Sequence, residues 1–194
     1  MLQAFAYNEA TKILVDYWLS LPRPDGALCP ARDDFRMMDL SEISDQLFLN
    51  ERYSDDNICV VQSGRTINKQ LGADLTGLNF LELLPPQQFS IERAYFKALS
   101  DLPCAGYITR FSSQAEGRNF IFKSTHLPLL SNGGTVDFWV GTGAILEENM
   151  YSPDETTTRF GQLQTLEREF FDIGSGVPAE EISSPNWPSR SASI

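Results

Sequence analysis

Between Asn8 and Leu21 the apolar residues return at steps of three and four. Ile13, Leu14, Tyr17, Trp18 and Leu21 make one wide face, which predicts an amphipathic helix. Asn8 stands where a side-chain cap is needed, and Pro22 and Pro24 stop the helix. Such a face packs on its own domain or against a second copy of the chain, and the pattern leaves both open. A proline- and charge-rich crossing follows to Asp39. Leu47–Arg52 and Asn57–Ser63 then read as two strands joined by the turn cluster Tyr53 to Asn57, a hairpin. Thr66–Leu71 reads as a short helix ended by Gly72, where a left-handed residue is usually needed. Gly77 turns the chain into the apolar run Leu78, Phe80, Leu81, Leu83, Leu84. After Pro85-Pro86 a longer helix is expected over about Gln87–Leu102. Three strands follow: Cys104–Ser113, Arg118–Leu130 and Val136–Leu146, the last two joined by the hairpin signal Ser131-Asn132-Gly133-Gly134. The last strand is aromatic-rich and apolar, as the centre of a sheet is.

Beyond Leu146 the pattern changes. Phe160, Leu163, Leu166 and Phe170 fall at helical steps, which predicts an amphipathic helix over Thr156 to Phe171. Its apolar face needs its own sheet or another molecule, because a helix this short is marginal alone. From Gly174 the chain is rich in glycine, proline and serine, and reads as a disordered tail or a docking segment around Trp187. Three parts are therefore expected: 1–39, a helix and crossing; 40–146, the core domain; 147–194, an acidic extension.

Leu71-Gly72-Ala73-Asp74-Leu75-Thr76-Gly77-Leu78-Asn79-Phe80 resembles the glycine-containing centre of PAS domains. Trp18, the Pro30-Ala31-Arg32 stretch, Asp39-Leu40 and Leu47-Phe48-Leu49 are similar to the start of a bacterial PAS-like family whose members often stand alone. Two prolines usual there are replaced, by the Met37-Met38-Asp39 and Ser44-Asp45-Gln46 segments. The resemblance runs from about Leu14 to Leu146. It implies an α+β fold: a five-stranded antiparallel sheet in order 2-1-5-4-3 with helices on one face, plus N-terminal and C-terminal helical extensions. It also implies a sensory or regulatory role in signal transduction.

Composition narrows the chemistry. The 194 residues are 42% hydrophobic and 11% aromatic, enough for a core. No apolar run approaches the ~18 residues of a membrane span, and Met1 to Phe5 lacks a signal-peptide pattern. The net charge of −11 argues against a phosphate-backbone partner. Cys29, Cys59 and Cys104 are odd in number, have no metal spacing, and read as reduced thiols of a cytoplasmic protein. The single histidine, His126, rules out multi-histidine metal sites and histidine triads built on more than one imidazole. The haem ligand that the resemblance would place in Phe80–Leu84 is missing. So is the flavin-photosensor motif Asn-Cys-Arg-Phe-Leu-Gln. No cofactor, metal or catalytic residue is expected.

A small-ligand pocket between sheet and helices is the candidate site. Its expected wall is Phe80, Leu81, Leu84, Tyr107, Phe122 and Trp139, with Arg65, Arg110 and His126 as polar groups. The same aromatics also suit a plain core. A dimer or partner surface is expected on Ile13, Leu14, Tyr17, Trp18, Phe160, Leu163 and Phe170. Two readings stay open: a noncatalytic sensor that signals through protein contact as a homodimer, with or without a small ligand in the pocket, or a ligand-free dimeric scaffold. A small hydrolase or isomerase is a third, but no nucleophile–base pair supports it.

Overall fold

The computed structural model describes residues 5–113, 118–148 and 162–179. Helix α1 (Glu9–Ser20) starts on its Asn8 cap, whose Oδ1 accepts a hydrogen bond from the Thr11 backbone N–H at 2.8 Å. A crossing with short 3-10 turns leads to strands β1 (Leu47–Ser54) and β2 (Asn57–Ser63). Helix α2 (Arg65–Leu71) ends on Gly72 at φ 76°, the left-handed geometry that terminates helices. A 3-10 turn over Phe80–Leu83 and helix α3 (Pro86–Asp101) follow. Then come β3 (Cys104–Ser113), β4 (Asn119–Leu130), β5 (Val136–Glu148) and β6 (Gln162–Asp172).

The strands form one antiparallel sheet in the order β2-β1-β5-β4-β3-β6. The first five stand in the expected order, with the apolar β5 at the centre. The sixth strand corrects the expectation of a C-terminal helix. A bulge explains how the pattern misled. Glu167 pairs with Thr109 and Thr165 with Arg110, so Leu166 is an extra residue in the ladder. The bulge moves the inward phase from Leu163 and Thr165 to Arg168 and Phe170. Leu163, Leu166 and Phe170 are then spaced by three and four, as on a helix, while two of the inward residues are polar. Phe160 lies outside the described residues.

Helices cover both faces of the sheet. On β5, Thr142 meets Thr11 of α1 at 2.8 Å between hydroxyls. Its neighbour Gly143 faces Phe122 and Ile67 of α2. Successive strand residues point to opposite faces, so α1 lies on one side and α2 on the other. The apolar face of α1 is thus used on its own sheet. Leu14 and Trp18 are fully buried, and Trp18 Nε1 donates to the Pro128 carbonyl at 2.9 Å. No helix among the described residues is long and apolar enough to cross a membrane.

Candidate functional site

On the α2 and α3 side the sheet does not close completely. A cavity of about 80 Å³ remains between the strands, α2, the Phe80–Leu83 turn and α3. The two-residue period of the strands fixes its wall. From β1 come Phe48 and Asn50, from β2 Val60 and Ser63, from β3 Arg110 and Ser112. Strand β4 supplies Phe122, Ser124 and His126, and β6 supplies Leu163. Ile67, Phe80 and Phe96 close it from the helical side.

One wall carries a buried ion pair. Arg110 on β3 meets Glu92 on α3 through two bonds, Nη2–Oε2 at 2.8 Å and Nε–Oε1 at 3.3 Å. Its Nη1 donates to Ser124 Oγ at 2.9 Å, and its guanidinium lies over the Phe80 ring. Glu92 also accepts from the Thr165 hydroxyl of β6. Gln88 Oε1 accepts the Thr165 backbone N–H at 3.2 Å, and Arg168 Nη1 donates to the Ile91 carbonyl at 3.0 Å. The cavity wall, α3 and the last strand are therefore tied through charged groups shielded from water, where such bonds are strong and their loss costly.

His126 sits inside an aromatic cage of Phe48, Tyr95 and Phe96, with the Tyr95 hydroxyl 3.1 Å from Nδ1. Burial, with the Arg110 charge second, pushes its pKa well below the ordinary imidazole value. It is neutral at physiological pH. Two further polar atoms on the wall are unanswered. Asn50 Oδ1 and Ser63 Oγ are buried without a hydrogen-bond partner among the described residues.

The expected site residues divide. Phe80, Arg110, Phe122 and His126 line the cavity. Leu81, Leu84 and Trp139 are buried in the main core, Trp139 against Phe96 at 5.1 Å between ring centroids. Tyr107 is one residue out of phase with Ile108 and Arg110, so it points to the opposite face. There it bonds Glu169 and carries the Lys123 ammonium 3.2 Å from its ring centroid. Arg65 is exposed and pairs with Asp45 at 3.0 Å. The expected partner surface is also redistributed. Besides Leu14 and Trp18, Phe170 is buried and stacks on Tyr95 at 5.2 Å, while Ile13, Tyr17 and Leu163 pack half-buried against the core.

Asn50, Ser63 and Glu92 did not figure among the sequence candidates. The signals were present. Asn50 is a polar residue in phase with Phe48, and Glu92 falls three residues from both Phe89 and Tyr95 on the buried stripe of α3.

Residues 7–144 match the PAS domain family. The chain belongs to this family. PAS domains serve as sensory signalling modules, and this one carries its sixth strand beyond the matched segment. No curated protein matches the sequence. Similar solved structures include the LOV protein of Rhodobacter sphaeroides, 15% identical over 58% of this chain and 69% of that one, with a TM-score of 0.43. A PAS domain from Colwellia psychrerythraea is 10% identical over 57% of this chain and 96% of that one, at a TM-score of 0.42. The dark structure of the blue-light photoreceptor Aureochrome1 LOV is 17% identical over 66% and 88%, also at 0.42. Likenesses this distant carry no argument about ligands. This cavity, about 80 Å³ and lined by no cysteine, does not fit a flavin or a haem. Ligand sites for such groups run to ~300–1,000 Å³.

Proposed function

We propose that this PAS domain is a noncatalytic sensory or regulatory protein that signals by changing its protein contacts, gated by a small ligand in the cavity. One observation carries the reading: the Arg110–Glu92–Thr165 connection runs from the cavity wall through α3 to the C-terminal strand. Leu163 of that strand itself borders the cavity. An occupant that presses on Leu163 acts on β6 directly, and one that presses on Arg110 acts on it through Glu92 and Thr165. It shifts the population between a docked and a loosened strand by its differential affinity for the two. A protein partner, or a second copy forming a homodimer, reads the strand. The free thiols Cys29, Cys59 and Cys104 suit a reducing cytoplasmic setting.

The test has two parts. Native mass spectrometry of freshly purified protein is expected to show a retained small molecule, and its removal to raise hydrogen exchange in β6 more than in β1. Equal exchange in both strands, with and without the molecule, overturns the reading. The ligand-free dimeric scaffold draws its support from the open backbone edge of β6, which among the described residues pairs only with β3. An empty protein that sediments as a stable dimer favours it.

A further inference from the structure

We propose that the cavity takes a small uncharged molecule, with an apolar body no larger than one ring and a single hydroxyl or amide group held by Asn50 and Ser63. The inference rests on the ligand-gated reading above and specifies its ligand. Size sets the first limit. A volume of about 80 Å³ is smaller than the ~150 Å³ apolar cavity that holds benzene, so a single ring is the upper limit of size. Phe48, Phe80, Phe96 and Phe122 supply flat apolar walls for such a body.

Charge sets the second limit. Arg110 is the charged residue of the wall, and Glu92 already neutralises it through two bonds. His126, caged by aromatic rings, carries no charge. An anionic or cationic ligand would therefore bring a charge into a space with no free counter-charge, which is strongly unfavourable.

Hydrogen bonding sets the third. Asn50 is 4% exposed, lines the cavity, and its Oδ1 has no partner. Ser63 Oγ is likewise buried and unpartnered at the same β1–β2 end, since Ser63 stands opposite Phe48 in the ladder. Buried polar groups are almost always answered, and of the buried side-chain atoms without a partner among the described residues these two border the cavity, where an occupant would answer them. An amide oxygen needs a donor, while a serine hydroxyl both gives and accepts. A neutral hydroxyl or primary amide on the ligand answers both, and a hydrocarbon answers neither.

The experiment titrates the full chain with three single-ring probes, phenol, toluene and benzoate, and follows backbone and side-chain amide resonances by NMR. Phenol is expected to shift the Asn50 side-chain amide and to bind at least tenfold more tightly than toluene or benzoate. Asn50→Leu, equal in heavy-atom count and branching, is expected to weaken phenol at least tenfold and to leave toluene equal or tighter. Ser63→Ala is expected to weaken phenol less and carries the test if Asn50→Leu does not fold. Toluene binding as tightly as phenol, or phenol binding unchanged in both variants, overturns the assignment to Asn50 and Ser63 while leaving the ligand cavity standing. Benzoate binding most tightly overturns the charge argument. If none of the probes shifts resonances of the cavity wall, the proposal and the ligand-gated reading fall together.

Discussion

At the scale of single residues, the buried pair of Arg110 and Glu92 matters more than any surface ion pair. Exposed pairs such as Arg65–Asp45 hold charges that water already solvates, and contribute ~0–1 kcal/mol. Arg110 and Glu92 have side-chain exposures of 4% and 0%, so removing one charge strands the other. Glu92→Gln is expected to cost ~3–5 kcal/mol, read as a lower denaturant midpoint. The double change Glu92→Met with Arg110→Met is expected to recover most of that loss. His126 gives a second prediction. Its folded-state pKa is depressed, so as pH falls below ~6.5 the unfolded chain takes up a proton that the folded one refuses. Stability from this group is present above that value and lost below it. His126→Phe is expected to flatten the fall in denaturant midpoint between pH 7 and pH 5, compared with the unaltered chain. An equal slope in both proteins would show that other groups set it.

At the scale of elements, β6 is held by more than its ladder with β3. Gln88, Glu92 and the Ile91 carbonyl fasten it to α3. A chain ending at Glu148 is expected to lose at least ~2 kcal/mol of stability, because it uncovers β3 and leaves buried groups unanswered. A chain ending at Ala179 is expected to melt as the full chain does. The same strand shows what the sequence conceals. The first five strands, α1 with its Asn8 cap, and α2 with its glycine stop were legible because each has a clean period and a marked end. β6 was not, because its bulge at Leu166 breaks the alternation and Thr165 and Arg168 point inward. Cavity residues were legible only in part. Period two identifies which residues share a face, but the inward phase of β3 depends on its neighbours. From the sequence alone, Tyr107 is therefore as good a wall residue as Arg110. Asn50 has the right phase beside Phe48, but its polarity sets it apart from the apolar residues that mark a pocket lining.

At the scale of the whole molecule, net charge opposes compactness. With a charge of −11, the folded chain repels itself more than its expanded form does. Added salt screens this, with a Debye length near 10 Å at ~0.1 M. The denaturation midpoint in urea is expected to rise between low and moderate sodium chloride, and a midpoint that falls would mean the ion pairs outweigh the repulsion. The two ends of the sheet are unequal as well. At β2 the edge is stitched by the Gly77–Leu78 turn, whose backbone exchanges bonds with Val60 at 2.7 and 2.9 Å. At β6 no such cover exists among the described residues. A sheet sealed on one margin can lengthen only from the other. Two copies that meet strand to strand there would close on each other about a two-fold axis and then stop, having no free margin left. The turn beside Val60 thus leaves β6 as the margin at which, among the described residues, another copy could add.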